Sequence, residues 1–287
     1  MQNLHEFMRG NVSRPRFGGG ATRRRFLTHG MAAAVGASGL AGLGSAGSVW
    51  AADAGAVRIL AASDLKFALT RVASQYQQAT GQAITLTFGS SGNMARQIQQ
   101  GLPADIYMSA DEDLVLQLAR AGLTWGGDNG ALYALGRLAL LVAPGSAIPP
   151  DARLQGLRQQ WALVRKFALA NPEHAPYGRA AREALQSLGL WDMVQPRLVL
   201  GDNIAQATQF VTTGAAQAGI TALSLVMAPE LRGQGALVAL PPELHRPLRQ
   251  RMVLLAKASA AAVSFYQYLQ QAAARAVLAE YGFGAPP

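Results

Sequence analysis

From Val57 onward the chain alternates short apolar runs with longer amphipathic ones, and this alternation limits the fold more than any other feature. Val57-Arg58-Ile59-Leu60-Ala61-Ala62 reads as a buried strand. Leu65, Leu69, Val72 and Tyr76 then fall at i, i+4, i+7 and i+11, one face of a helix that Gly81 closes. Ile84 to Phe88 alternates as a second strand, Gly89 to Asn93 reads as a turn, and a helix continues through Met94, Ile98 and Gly101. Asp105 to Ser109 is a third strand and Asp113 to Ala121 a third helix. Strand and helix in turn at this spacing predict a mainly parallel sheet with helices on both faces.

A second block repeats the pattern. Leu138 to Ala143 is an apolar strand ended by Pro144, and Phe167 to Ala170 is another. Pro176-Tyr177-Gly178 reads as a turn before a helix from Arg179 to Leu188. Leu198 to Leu200 is a strand, Ile204 to Thr213 a helix and Ala218 to Ala222 a strand. A strand from Met252 to Ala256 and one helix from Ala260 to Glu280 close the chain. The expected architecture is α/β in two lobes, 56–136 with 225–287 and 137–224, enclosing a cleft. Ligands of such sheets sit at the carboxyl ends of strands, where helix N-termini point.

Residues 1–51 stand apart. Thr22-Arg23-Arg24-Arg25-Phe26-Leu27-Thr28 precedes a long uncharged Ala/Gly-rich run ending at Val49-Trp50-Ala51, the layout of a signal peptide cleaved near Ala51. The paired arginine ahead of Phe-Leu resembles a twin-arginine export signal, with Thr28 where Lys is usual. This leader holds six arginines and one glutamate, so only +4 of the chain's formal +9 belongs to the mature protein. No basic stripe remains to suggest a nucleic-acid partner. Arg246, Arg249 and Arg251 read as a solvated surface segment. Zero cysteines exclude disulfides, thiolate metal sites and a lipid anchor on an N-terminal Cys.

Chemistry-bearing residues gather at the strand-to-helix turns. Ser63 ends the first strand, Ser90 and Ser91 follow the second, Tyr177 precedes a helix of the second block, and Asn203-Ile204 precedes another. Each could be a plain helix cap or a packed side chain. Together they place hydroxyls and spare N–H groups at helix starts, which bind anions without a cation. Catalysis is poorly supported. Gly89-Ser90-Ser91-Gly92-Asn93 has Asn where a nucleophile elbow needs Gly, and no phosphate loop or dinucleotide fingerprint occurs. Asp111-Glu112-Asp113 reads as an acidic helix start.

Three stretches taken together resemble the periplasmic molybdate-binding proteins of ABC importers: Ala61-Ala62-Ser63-Asp64-Leu65, Phe88 to Ile98, and Gly101 to Ile106. Asn171-Pro172-Glu173-His174-Ala175-Pro176-Tyr177-Gly178, Ala184 to Asp192 and Ala279 to Phe283 extend the likeness in order along the mature chain. The resemblance implies a type II periplasmic binding protein that closes over molybdate or tungstate. Such a protein delivers the ion to a permease with a cytoplasmic ATPase, acts as a monomer in the periplasm, and needs no cofactor. It places oxyanion contacts, not direct ligands of the metal, on Ser63, Ser91, Tyr177 and the backbone of Ile204. Some members use a tyrosine where this chain has Ala222. The Tyr177 hydroxyl is expected to replace it, and the Asp64 carboxyl to turn away from the dianion. The alternatives are a receptor for sulfate or an organic acid, and an exported hydrolase using Ser91.

Overall fold

The computed structural model describes residues 55–286, so the expected leader, its arginines and the cleavage point at Ala51 lie outside the described residues. Among the described residues there are ten strands and ten α-helices in two five-stranded sheets. The first half holds β1 (Val57–Ala62), α1 (Lys66–Thr80), β2 (Ile84–Gly89), α2 (Ser91–Gln99), β3 (Ile106–Ser109), α3 (Glu112–Arg120) and β4 (Ala131–Gly136). The middle holds β5 (Leu138–Val142), α4 (Gln155–Gln159), β6 (Phe167–Ala170), α5 (Pro176–Ser187), α6 (Trp191–Val194), β7 (Leu198–Gly201), α7 (Ile204–Thr212) and β8 (Ala218–Ala222). Then come α8 (Leu223–Val226), β9 (Ala236–Ala239), β10 (Leu248–Leu254), α9 (Ala260–Leu269) and α10 (Ala272–Glu280).

The sheets share one topology. Their orders are β2-β1-β3-β10-β4 and β7-β6-β8-β5-β9, so β1 and β6 occupy equivalent places, as do β2 and β7. In each sheet two pairs are parallel and two antiparallel, so the sheets are mixed rather than mainly parallel. The difference arises because one strand in each sheet runs against its neighbours: β10, which returns to the first sheet after the second is complete, and β5, which enters the second from the crossing. The chain first crosses at Arg137, between β4 and β5. Its final return comes later than the expected 225, because β9 pairs with β5 in the second sheet.

Both sheets are packed on both faces, which explains the nearly continuous apolar strands. In the first, Ile59, Ile106, Met108 and Met252 face one core with Leu69 and Phe265, while Leu60, Tyr107 and Val253 face another with Met94 and Leu118. In the second, Leu138, Leu140, Phe167 and Leu169 face a core that also takes in Ala62 and Ala110 from the first lobe.

Three local expectations change. Gly92 and Asn93 belong to the first turn of α2, not to a turn before it. Pro176 is the first residue of α5, where a missing N–H costs nothing, so Tyr177 lies inside that helix. The last helix is two, because Gln271 adopts extended backbone (φ −76°, ψ 158°) between α9 and α10.

Candidate functional site

The strand ends and helix starts of the two lobes meet at one small cavity. Ser63 and Asp64 follow β1, Ser90 and Ser91 follow β2, and Ala110 follows β3. From the other lobe, Pro176 and Tyr177 follow β6, and Asn203 and Ile204 follow β7. The four residues singled out from the sequence thus come from equivalent strand ends of two like sheets, and all four line this cavity.

Their hydrogen bonds show which protons are spare. Ser91 Oγ accepts from the Ala110 N–H at 3.0 Å, and the Ser91 carbonyl accepts from the Tyr107 hydroxyl at 2.8 Å. Ser63 Oγ accepts from the Ala205 N–H at 3.3 Å. Neither hydroxyl donates to a described residue, so each keeps a proton for something else. The N–H groups of Ser91, Tyr177 and Ile204 sit in the first turns of α2, α5 and α7 and meet no acceptor among the described residues. First-turn N–H groups have no partner within their own helix, and the helix dipole adds partial positive charge there. The wall therefore combines neutral donors with one buried acid, Asp64, and has no lysine, arginine or histidine side chain lining it.

The Tyr177 hydroxyl departs from expectation. It is buried (Tyr177 is 2% exposed) and accepts from Gln250 Nε2 at 3.1 Å. That aims it toward Gly136, where an added Cβ would come within 2.5 Å of it. What Tyr177 presents from the helix start is its N–H. Burial, then the nearby Asp64 charge, pushes the Tyr177 phenol well above its ordinary value, so it stays protonated. The Asp64 carboxyl engages Gln250, whose Nε2 donates to Asp64 Oδ2 at 2.6 Å.

Sequence reasoning did not find the contacts that hold the lobes together. The Ser90 hydroxyl donates to the His174 carbonyl at 2.6 Å, and the Gly92 N–H donates to the same oxygen at 3.0 Å. His174 Nδ1 lies 3.0 Å from Ser90 Oγ. Because the Ser90 proton is committed to the carbonyl, the network assigns the hydrogen of that contact to Nδ1. Burial first, and the Arg96 charge next, lower the His174 pKa, which favours a neutral ring. Arg179 at the start of α5 pairs with Asp111, which also caps α3 by accepting from the Asp113 N–H at 3.0 Å. Arg249 and Arg251 both pair with Glu112. They are therefore partners of the acidic helix start rather than a solvated segment, and the corresponding strand register was not visible in the spacing alone.

Arg179–Asp111 is the one ion pair among the described residues that bridges the lobes, in the wall of a neighbouring cavity of about 290 Å³. Arg179→Gln is expected to weaken ligand retention by up to about 1 kcal/mol, the usual worth of a half-exposed pair. The measurement is the ligand dissociation rate, which should rise while the thermal midpoint of the free protein stays close to wild type.

Residues 57–284 match the family described as bacterial extracellular solute-binding protein. The chain belongs to that family. The molybdate-binding protein ModA of Azotobacter vinelandii is 35% identical over 236 residues, covering 82% of this chain and 92% of the relative. The molybdate-binding protein ModA of Rhodobacter capsulatus is 32% identical over 234 residues, covering 81% and 89%. The solved Azotobacter vinelandii periplasmic molybdate-binding protein superposes with a TM-score of 0.74 at 29% identity, covering 80% of this chain and all of that one. As a solute-binding protein it is a binder and not an enzyme, so the hydrolase alternative falls.

Proposed function

We propose that this solute-binding protein captures molybdate or tungstate between its lobes and delivers it to an ABC permease driven by a cytoplasmic ATPase. It acts as a monomer in the periplasm after cleavage near Ala51. The observation that carries the reading is the meeting of spare donors from four equivalent strand ends with no cation among them. A fully deprotonated tetrahedral dianion can accept from every one of them. A protonated oxyanion would turn a hydrogen toward these donors, and burying it unmatched there is costly. The molybdate-binding relatives support the same solute.

Ser63 and Ser91 donate their hydroxyl protons, and Ser91, Tyr177 and Ile204 donate their N–H groups. Sulfate carries the same charge on shorter bonds, so donors fixed by two closed lobes select against it by reach. Closure expels water and strengthens each bond.

The test is a thermal-shift panel of molybdate, tungstate, sulfate and phosphate on the mature protein. Molybdate and tungstate should raise the midpoint and the other two should not; a rise with sulfate alone, or with none of the four, sinks the reading. Calorimetry then checks the contacts. Ser91→Ala should weaken molybdate binding by about 1–3 kcal/mol, the cost of leaving a charged acceptor unpaired. Tyr177→Phe should cost less than Ser91→Ala, because the Tyr177 hydroxyl faces Gln250 whereas the Ser91 hydroxyl has a proton to give the anion. Wild-type affinity in Ser91→Ala would remove that residue from the site.

A further inference from the structure

Resting on that reading of the site, we propose that Asp64 couples anion capture to a proton: the bound dianion is held with Asp64 as the neutral acid, and the ionised form opposes capture. The proton comes from solvent and returns to it on release.

The observation behind this is a buried polar atom without a partner. Asp64 follows Ser63 directly in the cavity wall and is 1% exposed. Its Oδ1 has no hydrogen-bond partner among the described residues, although such groups are nearly always paired. Its Oδ2 has one neutral donor, Gln250 Nε2 at 2.6 Å. The same Nε2 donates to the Tyr177 hydroxyl, and Gln250 Oε1 accepts from the Tyr133 hydroxyl at 2.7 Å, so that amide is fully used.

Polar groups from four elements surround Asp64. Gln250 belongs to β10, Tyr133 to β4 and Tyr177 to α5, while Ser224 of α8 donates to the Asp64 carbonyl at 2.9 Å. The two titratable groups in that set are the tyrosines, and both are held protonated, mainly by burial. No lysine, arginine or histidine is among these groups. A carboxylate buried without a cation is expensive, whereas a carboxylic acid in the same place is not. Burial accordingly lifts Asp64 from 3.8 to about 6, against the Gln250 hydrogen bond and the neighbouring Tyr177 hydroxyl, which pull it down.

A dianion held by Ser63 places like charge beside this carboxyl and raises its proton affinity further. Between the free and bound proton affinities the complex therefore holds a proton that the free protein has lost. By linkage, anion affinity is greatest near and below pH 6 and falls as pH rises above it. In chemical terms Asp64 sets the charge state in which the site takes its ligand. It acts from behind the donors rather than by touching the anion.

The experiment is calorimetric titration of molybdate into the mature protein at pH 7 in two buffers of very different ionisation enthalpy, with affinities measured from pH 6 to 8. The apparent enthalpy should differ between the buffers, reporting proton uptake. Affinity should fall by up to about tenfold per pH unit. Asp64→Asn keeps the shape and removes the titration, so it should bind molybdate with buffer-independent enthalpy and little change in affinity across that range. Molybdate binding by the wild type with no buffer dependence would overturn the proton coupling and leave the oxyanion site standing. Failure of the wild type to bind molybdate at any pH would overturn both. Undiminished pH dependence in Asp64→Asn would also overturn the assignment to this residue. If that variant does not fold, the two-buffer comparison on the wild type decides alone.

Discussion

Gly92→Val is expected to weaken molybdate capture by roughly 100-fold, about 3 kcal/mol, without contacting the anion. A Cβ at Gly92 would stand 2.5 Å from the His174 carbonyl oxygen and 3.2 Å from the His174 Cα. Those atoms are backbone on the opposite lobe, so no rotamer change relieves the clash. The same approach carries the Gly92 N–H bond to that oxygen and, beside it, the bond from the Ser90 hydroxyl, and separating the lobes breaks both. Within its own lobe Gly92 is an ordinary helical residue of α2, and the three atoms nearest an added Cβ all belong to His174 of the other lobe. The variant should therefore fold normally and be restrained from closing. Each neutral hydrogen bond is worth only about 1 kcal/mol net. The larger loss arises because the donors of the two lobes no longer reach one anion together. Calorimetry with molybdate measures the affinity, and urea unfolding of the anion-free protein checks the fold. Tight binding in Gly92→Val would show that lobe closure at this contact is not required.

Gln250→Leu is expected to destabilise the anion-free protein by about 3 kcal/mol at pH 8, through unpaired buried groups rather than a cavity. Gln250 is fully buried and serves Asp64, Tyr177 and Tyr133 at once. Leucine fills similar space but strands an ionised carboxyl and removes a partner from two phenols. The loss should shrink as pH falls, and the sign follows from linkage. Asp64 is raised in the folded state, from 3.8 to about 6, so between those values the folded protein holds a proton that the unfolded chain has shed. Its contribution to stability thus improves as pH falls through about 6 and levels off below about 4. Removing the Gln250 hydrogen bond raises Asp64 further, which moves the window upward in the variant. Urea unfolding at pH 5 and pH 8 compares the two proteins. An equal loss at both values would mean that the cost of the substitution does not lie in the Asp64 charge.

Much of the chain could be read from local signals. Gly81, in left-handed backbone (φ 73°), ends α1 where the spacing ends, and Asn203 caps α7 by accepting from the Gln206 N–H. Strand and helix followed one another almost as the period predicted, because burial on both sheet faces demands continuous apolar strands. Two strands escaped notice. Both are short apolar runs, Ala131 to Leu135 and Ala236 to Ala239, but each stands at a sheet edge and neither is followed by the helical pattern that marked most of the other strands. The single final helix was read too long, since Gln270 and Gln271 are good helix formers and the break at Gln271 is a tertiary decision.

At the site, the sequence alone determined that Ser63, Ser91, Tyr177 and Ile204 lie where strands give way to helices, though α2 and α5 begin about three residues earlier than the spacing suggested. That information is local: the capping position and helix start follow from a few neighbouring residues. The structure alone decided that the four turns share one cavity, that the Tyr177 phenol faces Gln250 rather than the donors, and that His174 binds Ser90 and Gly92 across the cleft. Asp64 and Gln250 stand 186 residues apart in sequence and 2.6 Å apart in space. That bond is fixed by the strand order of the first sheet, in which β10 returns close to β1, and pairing between distant segments leaves no periodic trace in the chain.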